Sequence, residues 1–293
     1  MPPIAGETTI SMPKLHTVDL ARNNLEAMGK EMRLFRRVTD LDLSDNVIRE
    51  MAPEMGYMVA LGKLQLQRNE LERLPVEMNG CKEIEYLDLE ANPLIQLPTG
   101  ISTMTVLRVL NCIDCAIEEV MPENLFEQTT FLESIRFPNS SIQTLPQSIY
   151  SLTRLRILDL TNNELLSIEG GMGNWISMRY LYLSHNQIPK LHESIGKLQQ
   201  LEVLEVNHNH LKELPWSLGS CHKMYRLTYH HNKLRIPPHQ LRHAGALISW
   251  DGSYNKYLWS EWKKEDDREK DEAMRKAAAK EFAQGLGEGA KVV

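Results

Sequence analysis

The sequence lacks long apolar runs, a signal segment and an excess of positive charge. No stretch of the 293 residues approaches the ~20 consecutive apolar residues that a transmembrane helix needs. The first residues, MPPIAGETTIS, lack a basic segment followed by an apolar one, which argues against a secretory signal. The formal net charge of −6 argues against nucleic acid or an anionic membrane surface as the partner.

The residue groupings of an enzyme are also missing. The glycines of GLGEGAK at 285–291 neither follow a strand nor open a helix, so they do not form a phosphate loop. We find no Ser/His/Asp arrangement, and no carboxylate pair enclosed by a pocket that would tune its pKa. The sequence therefore predicts a non-enzyme with no cofactor and no metal.

What the sequence does contain is a repeat, seen most clearly at Leu155–Leu165. This stretch reads LRILDLTNNEL and fits the pattern LxxLxLxxNxL. The apolar residues at its centre alternate as they do in a half-buried strand. Asn163 then ends the strand, because its amide satisfies backbone groups left open in the turn.

The pattern returns along most of the chain. The number of residues between successive turn positions is nearly constant and equals that between Asn163 and Asn186. The turn positions of the eleven units are Asn23, Asn46, Asn69, Asn92, Cys115, Ser140, Asn163, Asn186, Asn209, Asn232 and Asn255. A fixed period of this length is typical of a solenoid, in which each unit buries its apolar face against its neighbours.

This pattern resembles the leucine-rich repeat family. A second phrase, LPxxI, recurs at Leu97–Ile101 and Leu145–Ile149 and is similar to the cytosolic 23-residue class of Ras-group-related and Ras-suppressor scaffolds. The resemblance implies an α/β solenoid, with a curved parallel sheet on the concave face and short helices and loops on the convex face. It also implies a protein-binding scaffold. The residues of the tail add a predicted C-terminal α-helix.

The repeats divide the chain into three parts. Residues 1–14 are predicted to cap the solenoid through Ile10 and Met12, residues 15–258 to form the repeats, and residues 259–293 to form a charged helix and tail. Two extra residues within 120–132 predict a bulged loop or a longer helical turn, with a local change in curvature. A tolerated insertion on an exposed loop is an equal alternative.

The four cysteines fall on core-facing positions of the repeat. Cys81 and Cys221 precede strands, whereas Cys112 replaces a strand leucine and Cys115 a turn asparagine. Free cysteine acts as a small apolar residue in such places, so the lone CxxC motif is interpreted as structural. A reducing compartment, cytosol or nucleus, is expected, with cytoskeletal or ciliary placement as an option.

The outward residues of the sheet change character along the chain. The first half is acidic, through residues such as Asp40, Asp42 and Asp88. The second half carries aromatic, arginine and histidine residues of the kind that binding hot spots favour. The predicted partner-binding residues are Arg179, Tyr180, Tyr182, His185, Glu205, His208, Tyr225, Arg226 and His231.

The histidines form a column, because His185, His208 and His231 each precede a turn asparagine. Neighbouring strands lie roughly 5 Å apart, so the imidazoles should stack. Such a column could hold a transition metal or respond to pH. Without a carboxylate to orient the rings, a polar binding surface is the preferred interpretation.

The tail offers a second docking element. Its helix carries an apolar stripe at i+4 spacing, which includes Met274, Ala278 and Phe282. Either the helix is solvated or the stripe docks on a partner.

The preferred function is a non-catalytic scaffold that binds protein on the concave face. The alternatives are a structural subunit of a large ciliary or cytoskeletal assembly docked through the tail helix, and a targeting subunit of a phosphatase or small GTPase.

Overall fold

A computed structural model describes residues 14–118 and 120–234, together with the backbone of 247–249. The predicted cap residues Ile10 and Met12 lie outside the described residues. So do the turn residue Asn255 and the stripe of Met274, Ala278 and Phe282 in the predicted tail helix. These remain predictions.

The repeats form one parallel sheet. Eleven strands are joined in the order β1-β3-β5-β6-β7-β8-β9-β10-β11-β12-β13, and β2 and β4 form a separate parallel pair. The strands are β1 (Thr17–Asp19), β2 (Ala27–Met28), β3 (Asp40–Asp42), β4 (Glu50–Met51), β5 (Lys63–Gln65), β6 (Tyr86–Asp88), β7 (Val109–Asn111), β8 (Ser134–Arg136), β9 (Ile157–Asp159), β10 (Tyr180–Tyr182), β11 (Val203–Glu205), β12 (Arg226–Thr228) and β13 (Leu247–Ser249). One strand per unit, paired with the next, is the predicted solenoid.

The register follows the repeat. Leu158 of β9 pairs with Leu181 of β10, which pairs with Leu204 of β11, so each step crosses one unit. The central leucines point inward and are fully buried. The residues on either side of each central leucine point to the outward face of the sheet, because side chains alternate along a strand.

The last strand departs from the regular step between units. Leu227 of β12 pairs with Ile248 of β13, whereas the predicted step from Asn232 to Asn255 would have brought Leu227 beside Trp250. The predicted register of unit eleven is therefore two residues late. Trp250, Gly252 and Tyr257 replace the aliphatic residues of the pattern there, so the prediction depended on Asn255 alone.

The other side of most described units carries a short 3₁₀ helix. Within the described residues these helices span Lys30–Phe35, Pro53–Tyr57, Val76–Gly80, Thr99–Thr103, Gln147–Ser151, Gly170–Asn174, Glu193–Lys197 and Trp216–Ser220. Pro75, Pro146 and Pro215 each stand immediately before one of them. Proline presets φ and needs no partner for its nitrogen, so the LPxxI phrase starts a single tight turn.

The turn asparagines tie neighbouring units together. The side-chain nitrogen of Asn163 donates to Phe137 O of the preceding unit at 2.8 Å and to Leu160 O of its own unit at 3.1 Å. Its oxygen accepts from Ile142 N at 3.1 Å. The same pattern occurs at Asn46, Asn69, Asn92, Asn186, Asn209 and Asn232. The predicted role of the asparagine is confirmed, and it extends across units.

Two units replace this asparagine by smaller side chains. The Cys115 thiol lies 3.3 Å from Leu89 O, and the Ser140 hydroxyl donates to Cys115 O at 2.9 Å. Neither side chain combines two N–H donors with an oxygen acceptor, so the ladder changes form here. In the insertion the chain turns at residues 123–126 and buries Leu125 and Phe126. This is the bulged loop of the two predicted forms.

Candidate binding surface

Six of the predicted partner-binding residues, Arg179, Tyr180, Tyr182, Glu205, Tyr225 and Arg226, lie together at β10, β11 and β12 on the outward face, and the three histidines lie in the turns that follow these strands. Tyr180 pairs with Val203, which pairs with Arg226, and the next row runs from Tyr182 through Glu205 to Thr228. Arg179 and Tyr225 directly precede β10 and β12. We call this area the Tyr–Arg face. The ladder brings the residues together, and their role in binding remains a prediction.

Ion pairs hold two of the arginines in place. Arg179 Nη2 lies 2.7 Å from Glu202 Oε1, and the Tyr180 hydroxyl donates to Glu202 Oε2 at 3.1 Å. Arg226 Nη2 lies 3.0 Å from Glu205 Oε1. The hydrogen bond from Arg179 lowers the pKa of Glu202, and the hydrogen bond to Glu202 raises the pKa of Tyr180.

Glu202 was missed by the sequence prediction. It stands one full repeat after Arg179, so the repeat places the two side chains side by side with opposite charges. The repeat spacing combined with charge was therefore a usable signal. The same column continues backwards, where Arg108 lies 3.1 Å from Glu85 and 3.2 Å from Glu133. These pairs order side chains on a face that is otherwise open to solvent.

The tyrosines differ in exposure. Tyr225 is 50% exposed, whereas Tyr180 and Tyr182 are half-buried. Burial, followed by the nearby charge of Glu205, raises the pKa of Tyr182. Tyr180 and Tyr182 therefore stay neutral near pH 7. A neutral tyrosine presents both an apolar ring and a hydroxyl group, a combination that suits protein interfaces.

The histidines stack as predicted. The ring centroids of His185 and His208 are 4.1 Å apart, as are those of His208 and His231. His230 stands edge-on to His208 at 5.6 Å and to His231 at 5.2 Å. Among the described residues, His208, His230 and His231 are the one group of three His, Cys, Asp or Glu side chains near enough to hold a metal ion.

The stack has a backbone cause. His185, His208 and His231 have φ values of 58°, 50° and 54°, in the left-handed region that few residues other than glycine adopt. The equivalent residue of every described repeat from Arg22 onward has such a φ. The conformation therefore belongs to the fold, and the choice of histidine in three successive units is what distinguishes this part of the chain.

The acidic first half is partly neutralised. Asp45 lies 3.3 Å from Arg68 and 4.0 Å from Arg22, and these residues occupy the same column as the histidines. The ammonium group of Lys63 lies 5.4 Å from the centre of the Tyr86 ring. In the first units, opposite charges therefore alternate along the column of Arg22, Asp45 and Arg68. In the last units the equivalent positions carry the imidazoles of His185, His208 and His231.

The cysteines lie where the repeat placed them. All four are free and buried. Burial raises the pKa of Cys81 and of Cys221 to about 11 and raises that of Cys112 well above its usual value. The Cys112–Cys115 pair is therefore part of the core, as predicted.

Within the part of the chain that the structure describes, no helix has the length and apolar character needed to cross a bilayer.

Two family profiles match the sequence. The leucine-rich repeat region family matches residues 132–247, and a leucine rich repeat family matches residues 36–94. No curated protein sequence matches significantly. Residues 95–131, which include Cys115 and most of the insertion, lie between the two matches.

Solved structures resemble the fold. The ectodomain of the Arabidopsis thaliana receptor kinase GASSHO1/SCHENGEN3, in complex with CASPARIAN STRIP INTEGRITY FACTOR 2, matches with a TM-score of 0.69 and 26% identity over 74% of this chain and 27% of the receptor chain. The functional domain of InlJ from Listeria monocytogenes matches with a TM-score of 0.60 and 18% identity over 79% of this chain and 52% of InlJ. TLR13, solved with ssRNA13, matches with a TM-score of 0.62 and 22% identity over 75% of this chain and 32% of TLR13.

This chain therefore spans 27% to 52% of the length of these three solved chains. What these structures share with this chain is the overall fold. The repeat pattern, the profile matches and the structural neighbours support one conclusion: this chain has the fold of a leucine-rich repeat solenoid.

Proposed function

We propose that the protein is a non-catalytic scaffold that binds a protein partner on the Tyr–Arg face, and that it is similar to the cytosolic 23-residue class of leucine-rich repeat scaffolds. The observation that carries the proposal is the convergence of three tyrosines and two ion-paired arginines on three adjacent strands. Tyrosine and arginine are enriched in binding hot spots.

The arrangement suits protein recognition for two physical reasons. Arg179 and Arg226 are already held by Glu202 and Glu205, so less side-chain freedom is lost when a partner binds. Tyr225 exposes half of its surface and offers apolar area to bury. Leucine-rich repeat proteins commonly mediate protein–protein interactions, and the Arabidopsis ectodomain was solved with CASPARIAN STRIP INTEGRITY FACTOR 2 bound. The net charge of −6 favours protein over nucleic acid as the partner.

The experiment is quantitative capture from native cells with the full chain and two matched variants. Tyr182→Ala combined with Tyr225→Ala removes two rings from the face. Tyr57→Ala is the control, because Tyr57 and Tyr225 are both 50% exposed and Tyr57 ends a 3₁₀ helix on the other side of the repeat. Circular dichroism verifies that every variant is folded.

A hot-spot residue contributes about 2 kcal/mol or more, so each lost ring should weaken binding roughly 30-fold. Partners of the unsubstituted chain should disappear from the double variant and persist with Tyr57→Ala. Equal recovery of the same partners by both variants would remove the Tyr–Arg face as the binding site.

The alternative of a structural subunit makes a different prediction. The apolar stripe of Met274, Ala278 and Phe282 would then hold the chain in an assembly, and a chain ending at Tyr257 would lose its partners while the Tyr182 and Tyr225 variants kept them.

We also propose a cytoplasmic location, since four free buried thiols suit a reducing compartment.

A further inference from the structure

Three histidines at the end of the described solenoid converge on one point. His208 precedes the turn of one unit, whereas His230 and His231 precede the turn of the next. One ligand nitrogen from each ring lies within 4.8 Å of the other two. The rings of His208 and His231 are nearly parallel, at 20°, and His230 stands at 85° and 82° to them.

The backbone behind these rings is fixed. Asn209 and Asn232 follow His208 and His231 and bond to the preceding unit. His230 is held through its backbone N–H, which donates to the side-chain oxygen of Asn207 at 3.1 Å. Side chains on such a rigid ladder keep their spacing, which is what a metal site requires of its supporting structure.

The ring of His230 carries an unsatisfied group. Its Nδ1 atom is buried and has no hydrogen-bond partner, and a buried polar atom without a partner is unfavourable. We propose that His208, His230 and His231 bind one divalent transition-metal ion of the zinc class. This proposal is independent of partner binding on the Tyr–Arg face.

The geometry requires a small adjustment. Zinc–nitrogen bonds of 2.0–2.1 Å place two tetrahedral ligand nitrogens about 3.3 Å apart, compared with the present limit of 4.8 Å. One of the two parallel rings must turn about its side-chain bonds so that both nitrogens face the ion. His231 is exposed, so its ring has room to turn, and the fourth position is open to water.

The donor set selects the class of ion. Imidazole suits zinc, copper and nickel, whereas magnesium and calcium prefer oxygen ligands. The group contains no carboxylate. Competing thiolates are disfavoured as well, because all four cysteines are buried.

The test uses the untagged full chain, stripped with a chelator, titrated with Zn²⁺ by calorimetry and with Co²⁺ by visible absorption. We expect one ion per chain and no binding of Mg²⁺. His230→Ala and His231→Ala should each weaken Zn²⁺ binding by more than the roughly 10–100-fold cost of an outer-shell change. Alanine is compatible with the backbone at position 231, because Ala91 occupies the equivalent turn with a φ of 52°.

His185→Ala is the matched control. His185 has the same turn conformation and stacks on His208 at the same 4.1 Å as His231 does, yet it lies outside the group of three. Unchanged affinity in this variant supports the three-histidine site. An equal loss of Zn²⁺ affinity in His185→Ala and His231→Ala would contradict the three-histidine site and indicate that the ion binds the histidines without a defined site. No Zn²⁺ binding by the unsubstituted chain would overturn the proposal outright.

Discussion

Substitution of one turn asparagine tests how the units are held together. The side-chain nitrogen of Asn186 donates to Leu160 O at 2.8 Å and to Leu183 O at 3.1 Å, and its oxygen accepts from Leu165 N at 2.9 Å. The side chain is 6% exposed. In Asn186→Ala, water has little access to the groups that lose these bonds.

The cost follows from the bond that the Leu165 N–H of the preceding unit donates to Asn186. Each buried backbone group left without a partner costs about 1–3 kcal/mol. The Leu160 carbonyl keeps the hydrogen bond from Asn163 at 3.1 Å, so the Leu165 N–H alone predicts a loss of about 1–3 kcal/mol in the free energy of unfolding. Asn23 is the matched control, because it is exposed and donates to Leu20 and Ala21 of its own turn. Asn23→Ala should cost about 1 kcal/mol or less.

The assay combines urea unfolding with hydrogen exchange of the Leu165 amide. Asn186→Ala should lower the stability and accelerate exchange at Leu165, since that amide loses its acceptor. Asn23→Ala should leave exchange at Leu165 unchanged. Equal stability losses in the two variants, or an unchanged exchange rate at Leu165 in Asn186→Ala, would refute the inter-unit role of the asparagine.

Two further predictions concern tight packing. Gly80→Ala should lower the stability measured by thermal unfolding by about 1–3 kcal/mol, because the added Cβ would overlap the carbonyl oxygen of Gly56. Gly62→Ala is the control. Its added Cβ would have no atom nearer than 3.6 Å, so stability should change by no more than about 0.5 kcal/mol. Burial raises the pKa of Cys81 and Cys221 to about 11, so a thiol reagent at pH 8 should label them only after unfolding, and rapid labelling of the folded protein would contradict their core placement.

Much of the fold could be read from the repeat, because its nearly constant period sets which residues are neighbours. The pairing of Leu158 with Leu181 and the burial of Cys112 follow from it. The predicted register was wrong at unit eleven, where β13 lies two residues earlier than the period requires. The apolar pattern of this unit is degraded, so no strand leucine marked the register independently of the spacing from Asn232 to Asn255.

The candidate surface was less predictable than the fold. The repeat placed Tyr182 beside Glu205 and Arg179 beside Glu202, but the additional hydrogen bond from Tyr180 to Glu202 depends on side-chain directions. Periodicity reports the position of a Cα atom in the ladder. It does not report which rotamer a long side chain takes once its neighbours compete for it.

The sequence by itself determined the solenoid, its parallel ladder, the inward leucines and the histidine column, because all of these depend on which residue occupies each position of the repeat. The tertiary structure alone decided that His230 approaches His208 and His231 and that its Nδ1 is buried without a partner. His230 belongs to a different column of the repeat. Its approach depends on ring orientation across two stacked units, which no single repeat contains.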